Sequence, residues 1–215
     1  MKISLVVFDF DGTLVSSHET IYKTTLYALK EVGINQYIPE ELFYKKIGLH
    51  FEDIFQAFGF AVPDFEEFIN IYKSNYFNFI SASFVYEGVN KVLEFLNSKN
   101  ILTALLTTKG QDQAELLLKH FGLYNQFSYV MGRRHGMAHK PSPEPLLKIC
   151  EELQVHPQET LIVGDTEMDI ICGKEAGAKT CAVTYGYRDA EYLDKQLPDF
   201  LIDKIENIEY IVSGM

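Results

Sequence analysis

Two aspartates, Asp9 and Asp11, follow the apolar run Ile3–Phe8 and are separated by one residue. Because side chains alternate along a strand, both carboxylates are predicted to point to the same side. Two close carboxylates repel each other unless a cation or a proton lies between them, and Mg²⁺ suits oxygen ligands of this kind. One carboxylate could then attack phosphorus while the other transfers a proton. Gly12 leaves the backbone free to turn and to present an N–H group to an anion.

The spacing of this aspartate pair also occurs in two structures without phosphoryl chemistry. An aspartate–glycine turn with solvated carboxylates is common in proteins, and the pair alone is compatible with it. A calcium-binding EF-hand loop begins with the same spacing, but its fifth, sixth and twelfth positions would be Thr13, Leu14 and Thr20. None of these three residues fits the loop, so the EF-hand is excluded.

Two further segments could hold an anion. Thr107 ends an apolar run and precedes a helical pattern, so its hydroxyl and the following N–H groups could bind phosphate oxygens, although a plain helix cap is the simpler interpretation. Lys140 is followed by Pro141, which fixes the backbone at the start of a helix and thereby holds the ammonium on a defined stem. A fixed positive charge can neutralise an attacking carboxylate and a phosphoryl group, whereas the alternative is a surface lysine.

A second acidic pair follows the apolar run Leu161–Val163. Asp165 stands at the predicted strand end, and Asp169 lies one helical turn later on the same face. The pair could complete a metal site with the first two aspartates, while an N-cap aspartate with a solvated partner is the alternative.

The joint occurrence of these four segments decides between the alternatives. All four lie at predicted strand ends, and together they supply four carboxylates, one lysine and one hydroxyl. Carboxylates that converge without a cation would cost several kcal/mol in repulsion and desolvation, an order-of-magnitude figure. A bound metal ion is the natural compensation.

Outside residues 16–84, strand-like apolar runs alternate with amphipathic helical runs. The predicted strands are Ile3–Phe8, Leu102–Thr107, Ser128–Met131, Leu161–Val163, Thr180–Val183 and Phe200–Ile202. The predicted helices lie near residues 88–99, 111–121, 143–153, 168–176 and 205–212. This alternation indicates βαβ units and an α/β fold with a mostly parallel sheet and helices on both faces.

Residues 16–84 carry only helical periodicity. Ser16 and Glu19 have capping-box spacing and predict a helix that Gly33 can end, and Pro39 favours a first turn before residues 42–47. An aromatic stripe at helical spacing is predicted to be core and consists of Phe65, Phe68, Ile69, Tyr72 and Tyr76. We therefore expect two domains: a catalytic core of residues 1–15 and 85–215, and a helical cap of residues 16–84 inserted after the first strand.

The composition excludes several classes of function. The 215 residues carry 19 basic and 30 acidic side chains, a net charge of -11, which argues against nucleic acid and anionic membrane surfaces as partners. No apolar stretch is long enough to span a bilayer. Cys150, Cys172 and Cys181 lie in apolar periodic segments, which favours reduced buried thiols. A cytoplasmic protein, monomeric or weakly dimeric, is expected.

In these motifs the sequence resembles the haloacid dehalogenase superfamily of phosphatases. The matching segments, taken in chain order, are DFDGTL (9–14), LLTTKG (105–110), KPSPEPL (140–146) and VGDTEMDI (163–170). The helical insertion is similar to the cap of the phosphoglycolate phosphatase and beta-phosphoglucomutase branch. The resemblance implies a three-layer Rossmann-like parallel-sheet core with an inserted all-α cap.

The resemblance also implies a role for each matched residue. Asp9 would be the nucleophile that carries a phosphoryl group and binds Mg²⁺, and Asp11 would transfer protons while its main-chain carbonyl binds the metal. Asp165 and Asp169 would complete the metal site. The phosphate-binding residues would be Gly12, Thr107, Thr108 and Lys140. The implied activity is Mg²⁺-dependent hydrolysis of a small phosphorylated metabolite, a phosphoglycolate-like monoester.

Some residues depart from the family pattern. Thr108 replaces a frequent asparagine, Ser16 replaces an aspartate that follows the first motif, and Glu87 replaces a proline at the re-entry into the core. A basic run before Lys140 is unusual; it could be solvated or touch an acidic substrate, and it comprises Arg133, Arg134 and His135.

Two other functions compete with a phosphatase. A beta-phosphoglucomutase type isomerase needs a cationic cap residue for a second phosphate, but Phe51 and Ile21 stand where the mutase has an arginine and a histidine. His50, Lys45 and Lys46 could still supply positive charge there. A signalling receiver or a catalytically silent binding protein is the other alternative, but a receiver would carry its phosphoacceptor on the third strand and would lack the insertion.

Overall fold

The protein is described by a computed structural model that covers residues 2–214. The chain divides into two compact units, one formed by the segments up to Val15 and from Val85 onward, the other by Ser16–Phe84. The assignment of these segments as catalytic core and cap stays a prediction.

The first unit contains a parallel six-stranded sheet. Its strands are β1 (Leu5–Phe8), β4 (Leu102–Gly110), β5 (Tyr129–Arg133), β6 (Thr160–Gly164), β7 (Lys179–Val183) and β8 (Phe200–Ile202). They lie in the order β5-β4-β1-β6-β7-β8. Two short strands, β2 (Val15–Ser16) and β3 (Phe84–Val85), form a separate two-stranded sheet where the chain passes between the units.

The helices that connect these strands belong to the same unit. They are α5 (Val89–Ser98), α6 (Gln111–His120), α7 (Glu144–Leu153), α8 (Glu167–Ala176), α9 (Ala190–Asp194) and α10 (Ile208–Ser213). The predicted α/β fold is therefore confirmed. Short α9 was not predicted, and the last predicted helix begins as a 3₁₀ turn at Ile205–Asn207 before α10.

Strand β1 explains where the polar residues meet. All four of its side chains are buried, as expected for a central parallel strand covered on both faces. Phe8 pairs in register with Leu105 of β4 on one side and Val163 of β6 on the other. Because parallel strands end at the same edge, the residues that follow these three strands come together there.

Strand β4 differs from its prediction at that edge. The predicted strand ends at Thr107, but the observed strand continues to Gly110. Its pairing with β5 is irregular, since Leu106 lies opposite Met131 whereas Gly110 lies opposite Arg133. Residues 107–109 thus form a bulge, a distortion that turns side chains away from their regular alternation.

The second unit is helical. It contains α1 (His18–Glu31), α2 (Glu40–Tyr44), α3 (Phe51–Ala57), α4 (Phe65–Asn75) and a 3₁₀ helix, Tyr76–Ala82. The predicted capping box of Ser16 is wrong: Ser17 is the N-cap and makes no side-chain cap, while Ser16 Oγ lies 3.2 Å from His18 Nδ1. Glu19 pairs instead with Lys23.

The aromatic stripe of α4 packs inside this second unit. The ring of Phe68 lies 5.1 Å from that of Phe55 and 5.2 Å from that of Phe51, in edge-on contacts. Tyr72 and Tyr76 continue the stripe, and the centres of their rings are 5.6 Å apart. Edge-on aromatic pairs stabilise a core beyond the area they bury, so these residues explain the packing of the insertion. None of the helices in residues 2–214 combines the length and apolarity that a membrane crossing requires.

Candidate active site

A buried lysine–carboxylate pair lies at the centre of the site. Asp9 follows β1, and its backbone N–H donates to the Val163 carbonyl of β6 at 2.9 Å. Lys140, which stands before α7, reaches Asp9 Oδ1 with its Nζ at 2.8 Å. The lysine side chain is only 2% exposed, so the ion pair is shielded from solvent and its position is fixed.

Asp169 binds the same lysine. Lys140 Nζ lies 2.6 Å from Asp169 Oδ1, while Asp169 Oδ2 accepts hydrogen bonds from the backbone N–H and hydroxyl of Thr166. Thr166 is the N-cap of α8, and Asp169 is the third residue of that helix, so the two form a capping box. The helix start therefore holds the Asp169 carboxylate in one orientation.

Asp165 completes a group of three buried carboxylates with Asp9 and Asp169. One oxygen from each lies within 4.8 Å of the others. Asp165 Oδ1 accepts from the Thr13 hydroxyl at 3.2 Å, and its Oδ2 accepts from the backbone N–H of Tyr187 at 2.8 Å. The loop after β7 thus orients this carboxylate.

A glycine makes room for Asp165. A Cβ on Gly12 would lie 2.3 Å from Asp165 Oδ2, and Gly12 has φ +79, a left-handed conformation that side chains disfavour. A Cβ on Gly186 would likewise lie 2.2 Å from the Cβ of Asp165. Any larger residue at either position would displace the carboxylate.

Burial and mutual repulsion shift the acidity of the group. Burial raises the pKa of Asp9 to about 7; Lys140 opposes the rise, and Asp169 and Asp11 add to it. Burial, with the charges of Asp9 and Asp169, also raises the pKa of Asp165 well above its ordinary value. Burial alone would lower the pKa of Lys140, but the Asp169 and Asp9 carboxylates outweigh it and raise the pKa. Lys140 is therefore charged at neutral pH.

Asp11 pairs with a second lysine. Its Oδ2 is 3.2 Å from the Nζ of Lys109, and both side chains are largely buried. Thr107 is buried in the β4 bulge, where its hydroxyl oxygen accepts from the backbone N–H of Lys109 at 3.3 Å. Thr107 thus belongs to the bulge rather than to the N-terminus of α6, and Thr108 is half-buried beside it.

The donor set fits a small divalent cation. Three of the four carboxylates, those of Asp9, Asp11 and Asp169, make close ion pairs with two lysines. With Asp165 included, the group keeps a net negative charge when all its members are ionised. Mg²⁺ binds oxygen at about 2.1 Å, so ligands on opposite sides of the ion are about 4.2 Å apart. The three carboxylate oxygens, all within 4.8 Å of one another, are near enough to share one such ion.

Several structural contacts had no sequence signal. The guanidinium of Arg188 binds Glu167 with its Nε at 2.8 Å and thereby ties the loop after β7 to the start of α8. The pair of Lys109 with Asp11 was also missed, although the lysine is within the matched segment LLTTKG. In the basic run, Arg134 is anchored on Gln111 through its Nε at 3.1 Å, whereas Arg133 and His135 are exposed.

The chain is similar to known hydrolases along almost its whole length. The family model of haloacid dehalogenase-like hydrolases matches residues 6–183. Pyrophosphatase PpaX of Bacillus mycoides is 35% identical over 215 residues, which covers 99% of this chain and 98% of that protein.

Solved structures agree with this similarity. A "predicted phosphoglycolate phosphatase" from Haemophilus somnus superposes with a TM-score of 0.84 at 27% identity, covering 98% of both chains. A haloacid dehalogenase-like hydrolase from Streptococcus pneumoniae superposes with a TM-score of 0.85 at 25% identity and covers 99% of both chains. The resemblance inferred from the sequence motifs is confirmed. The chain therefore belongs to the haloacid dehalogenase-like hydrolase family and, within it, to the phosphatases.

Proposed function

We propose that this protein is a Mg²⁺-dependent phosphatase that transfers a phosphoryl group to Asp9 and then to water. The observation that carries the proposal is the contact of Lys140 with both Asp9 and Asp169 at the carboxyl edge of the sheet, beside Asp165. The lysine fixes the Asp9 carboxylate and offers a positive charge to phosphoryl oxygens. Such positioning and charge are the main contributions that proteins make to phosphoryl transfer.

The first step forms a phosphoryl-enzyme. A carboxylate oxygen of Asp9 attacks phosphorus, the bond to the leaving oxygen breaks, and its electron pair stays on that oxygen. Asp11 gives the leaving oxygen a proton. Lys140 and Thr107 hold oxygens of the phosphoryl group, with backbone N–H groups near Gly12 and Thr108 as further donors.

The second step returns the enzyme to its starting state. Asp11 takes a proton from a water molecule, whose oxygen bonds to phosphorus as the bond to Asp9 breaks. Inorganic phosphate leaves, and Asp9 is again a carboxylate. A magnesium ion held by Asp9, Asp165, Asp169 and the Asp11 carbonyl would supply the charge that neutralises the phosphoryl oxygens.

Pyrophosphate is the substrate that the relatives favour. The protein from Bacillus mycoides is named a pyrophosphatase, and its 35% identity extends over the whole chain. Phosphoglycolate or a similar monoester is the second candidate, because the structure from Haemophilus somnus carries that description at 27% identity. Either substrate is a small phosphorylated molecule with a further anionic group.

The insertion does not favour the mutase alternative. Phe51, which stands where the mutase has a phosphate-binding arginine, packs its ring 4.9 Å from Tyr72 and 5.7 Å from Phe55. Ile21, at the position of the mutase histidine, is buried. Both positions contribute apolar packing, and neither supplies charge for a second phosphate.

A phosphate-release assay tests the proposal. Purified protein is offered pyrophosphate, phosphoglycolate and p-nitrophenyl phosphate with Mg²⁺ or with a chelator. We expect Mg²⁺-dependent release of phosphate, fastest from pyrophosphate. A parallel assay with beta-glucose 1-phosphate and catalytic beta-glucose 1,6-bisphosphate detects isomerisation; glucose 6-phosphate formed faster than phosphate would overturn the phosphatase proposal.

A further inference from the structure

Lys109 is a buried cation for which the proposed mechanism has no use. Its side chain is 7% exposed, and its Nζ lies 3.2 Å from Asp11 Oδ2. The other buried lysine, Lys140, contacts a different pair of carboxylates. The site therefore holds two positive charges at two places: one beside the nucleophile and one beside the residue proposed to protonate the leaving oxygen.

The bulge in β4 explains how Lys109 comes to lie there. Between Leu106 and Gly110 the strand leaves its regular pairing with β5. Within that interval the backbone N–H of Lys109 donates to the Thr107 hydroxyl. This hydrogen bond links the two residues inside the bulge. Bulges next to functional sites commonly redirect a side chain. Here the redirected side chain carries its ammonium to Asp11.

Distances place this ammonium within reach of a leaving group. A leaving oxygen at a hydrogen-bond distance of about 2.7 Å from Asp11 Oδ2 lies no more than about 6 Å from Lys109 Nζ. The outer oxygens of a diphosphate or the carboxylate of a phosphorylated acid extend beyond that oxygen. Because the lysine stem is flexible, the ammonium can exchange Asp11 for such an anion without movement of the backbone.

We propose that Lys109 determines specificity by binding the anionic leaving portion of the substrate. The inference rests on the proposed function, because it assumes that Asp11 faces the leaving oxygen. The leaving portion of pyrophosphate or of phosphoglycolate carries a negative charge of its own beyond the leaving oxygen, and the ammonium binds that charge, whereas Asp11 supplies the proton to the leaving oxygen itself. A substrate whose leaving portion is uncharged gains nothing from this contact.

The test compares two substrates in one variant. Lys109→Met keeps much of the apolar stem and removes the charge. We expect its kcat/KM to fall at least about 30-fold further on pyrophosphate than on p-nitrophenyl phosphate. Both substrates lose the contact of Lys109 with Asp11, but only pyrophosphate also loses a charge-assisted contact of its own. Lys109→Arg should recover a large part of the loss. Lys179→Met is the matched control, since it breaks an exposed lysine–aspartate pair, with Asp199 at 2.7 Å, elsewhere in the same unit.

If Lys109 had only a structural role, its replacement would lower kcat/KM by the same factor for both substrates. Equal losses of kcat/KM on pyrophosphate and p-nitrophenyl phosphate in Lys109→Met, or no loss on either, would overturn the inference. If the wild type hydrolyses phosphoglycolate but not pyrophosphate, the substrate proposal fails, and the same comparison is made with phosphoglycolate against p-nitrophenyl phosphate. The activity of the wild type on the substrate panel thus tests the proposed function. The ratio of kcat/KM between variant and wild type, compared across the two substrates, tests the role of Lys109.

Discussion

The two units of the chain differ in whether they bury charged side chains. Among residues 2–214, the first unit buries the charged residues Asp9, Asp11, Lys140, Asp165, Asp169 and Arg188, and the side chain of Lys109 is only 7% exposed. The polar side chains buried in the second unit are all hydroxyls, those of Ser16, Ser17, Thr20, Thr24 and Thr25. Buried charges cost stability unless they are paired, whereas hydroxyls are easily satisfied by neighbouring carbonyls.

The hydroxyls of the insertion serve its own packing. Thr24 and Thr25 donate to carbonyls one turn earlier in α1, and Thr20 donates to the Phe79 carbonyl at 2.9 Å. Together with the aromatic stripe, these bonds make an interior without charge. Substitutions of the buried charged residues in the first unit should therefore change catalytic activity more than stability. Substitutions in the interior of the insertion should change stability more than catalytic activity.

The largest effect is expected for Asp9→Asn. The substitution keeps the shape of the side chain but removes the nucleophilic anion, so phosphatase activity should fall by at least about 10³-fold. Beryllium fluoride, which mimics a phosphoryl group on a carboxylate, should inhibit the wild type. The variant must show an unchanged circular dichroism spectrum. Near-normal turnover by a well-folded Asp9→Asn protein would refute the mechanism.

A smaller loss is expected for Asp11→Asn. Proton transfer contributes about 10² to 10⁴ in rate, so kcat should fall by about 10²-fold or more. The main-chain carbonyl of residue 11 is preserved, and Mg²⁺ affinity should therefore remain close to that of the wild type. Isothermal titration calorimetry checks this; abolished Mg²⁺ binding would contradict our division of labour between Asp9 and Asp11.

A substitution in the interior of the insertion should lower stability and leave catalytic activity nearly unchanged. Phe68 is fully buried between other aromatic rings, so Phe68→Ala should lower the free energy of unfolding by about 3–5 kcal/mol. Urea denaturation measures this change, and Leu42→Ala, at a residue 53% exposed, is the control with little effect. At a temperature where the variant is folded, kcat should change less than about threefold. A loss of kcat comparable to that of Asp11→Asn would break the comparison.

The smallest expected effect concerns pH and Mg²⁺. Because burial raises the pKa of Asp9 to about 7 from an ordinary 3.8, the folded protein keeps a proton that the unfolded chain releases between these values. The metal-free protein should therefore lose stability as the pH rises from about 4 to about 7. Mg²⁺ replaces the proton, so it should stabilise more at about pH 8 than at about pH 5. At about pH 8 and one hundred times its Kd, the stabilisation should be about 2.7 kcal/mol.

Thermal unfolding in chelator and in Mg²⁺ measures both trends. Asp9→Asn is the internal control: it removes one of the two carboxyl groups with a raised pKa and one negative charge of the proposed site, so both trends should weaken. A melting temperature that rises with pH in chelator, or an equal Mg²⁺ effect at both pH values, would contradict the assignment.

The meeting of the candidate site residues could be predicted from the sequence because of where parallel strands end. Asp9 and Asp165 closely follow apolar runs that are typical of buried central strands, and those runs pair with each other in the sheet. Their proximity follows from topology alone. The contacts of Lys109 could not be found this way, because they depend on a bulge whose position is set by pairing with β5.

Local patterns were less reliable where tertiary contacts compete. Ser16 and Glu19 have capping-box spacing, yet Ser17 begins α1 and Glu19 pairs with Lys23. The capping box that does form, Thr166 with Asp169, lies in a segment interpreted from sequence as metal-binding. Asp169 also shows that one residue can both start a helix and hold a buried lysine, which spacing alone does not reveal.

Trapping the phosphoryl-enzyme tests the central proposal most directly. The protein is mixed with ³²P-labelled substrate and Mg²⁺, quenched in acid during turnover, and digested for peptide mapping. We predict a label that hydroxylamine releases, carried by the peptide that contains Asp9 and absent from Asp9→Asn. A label on any other residue, or turnover with no labelled protein at any quench time, would contradict the account.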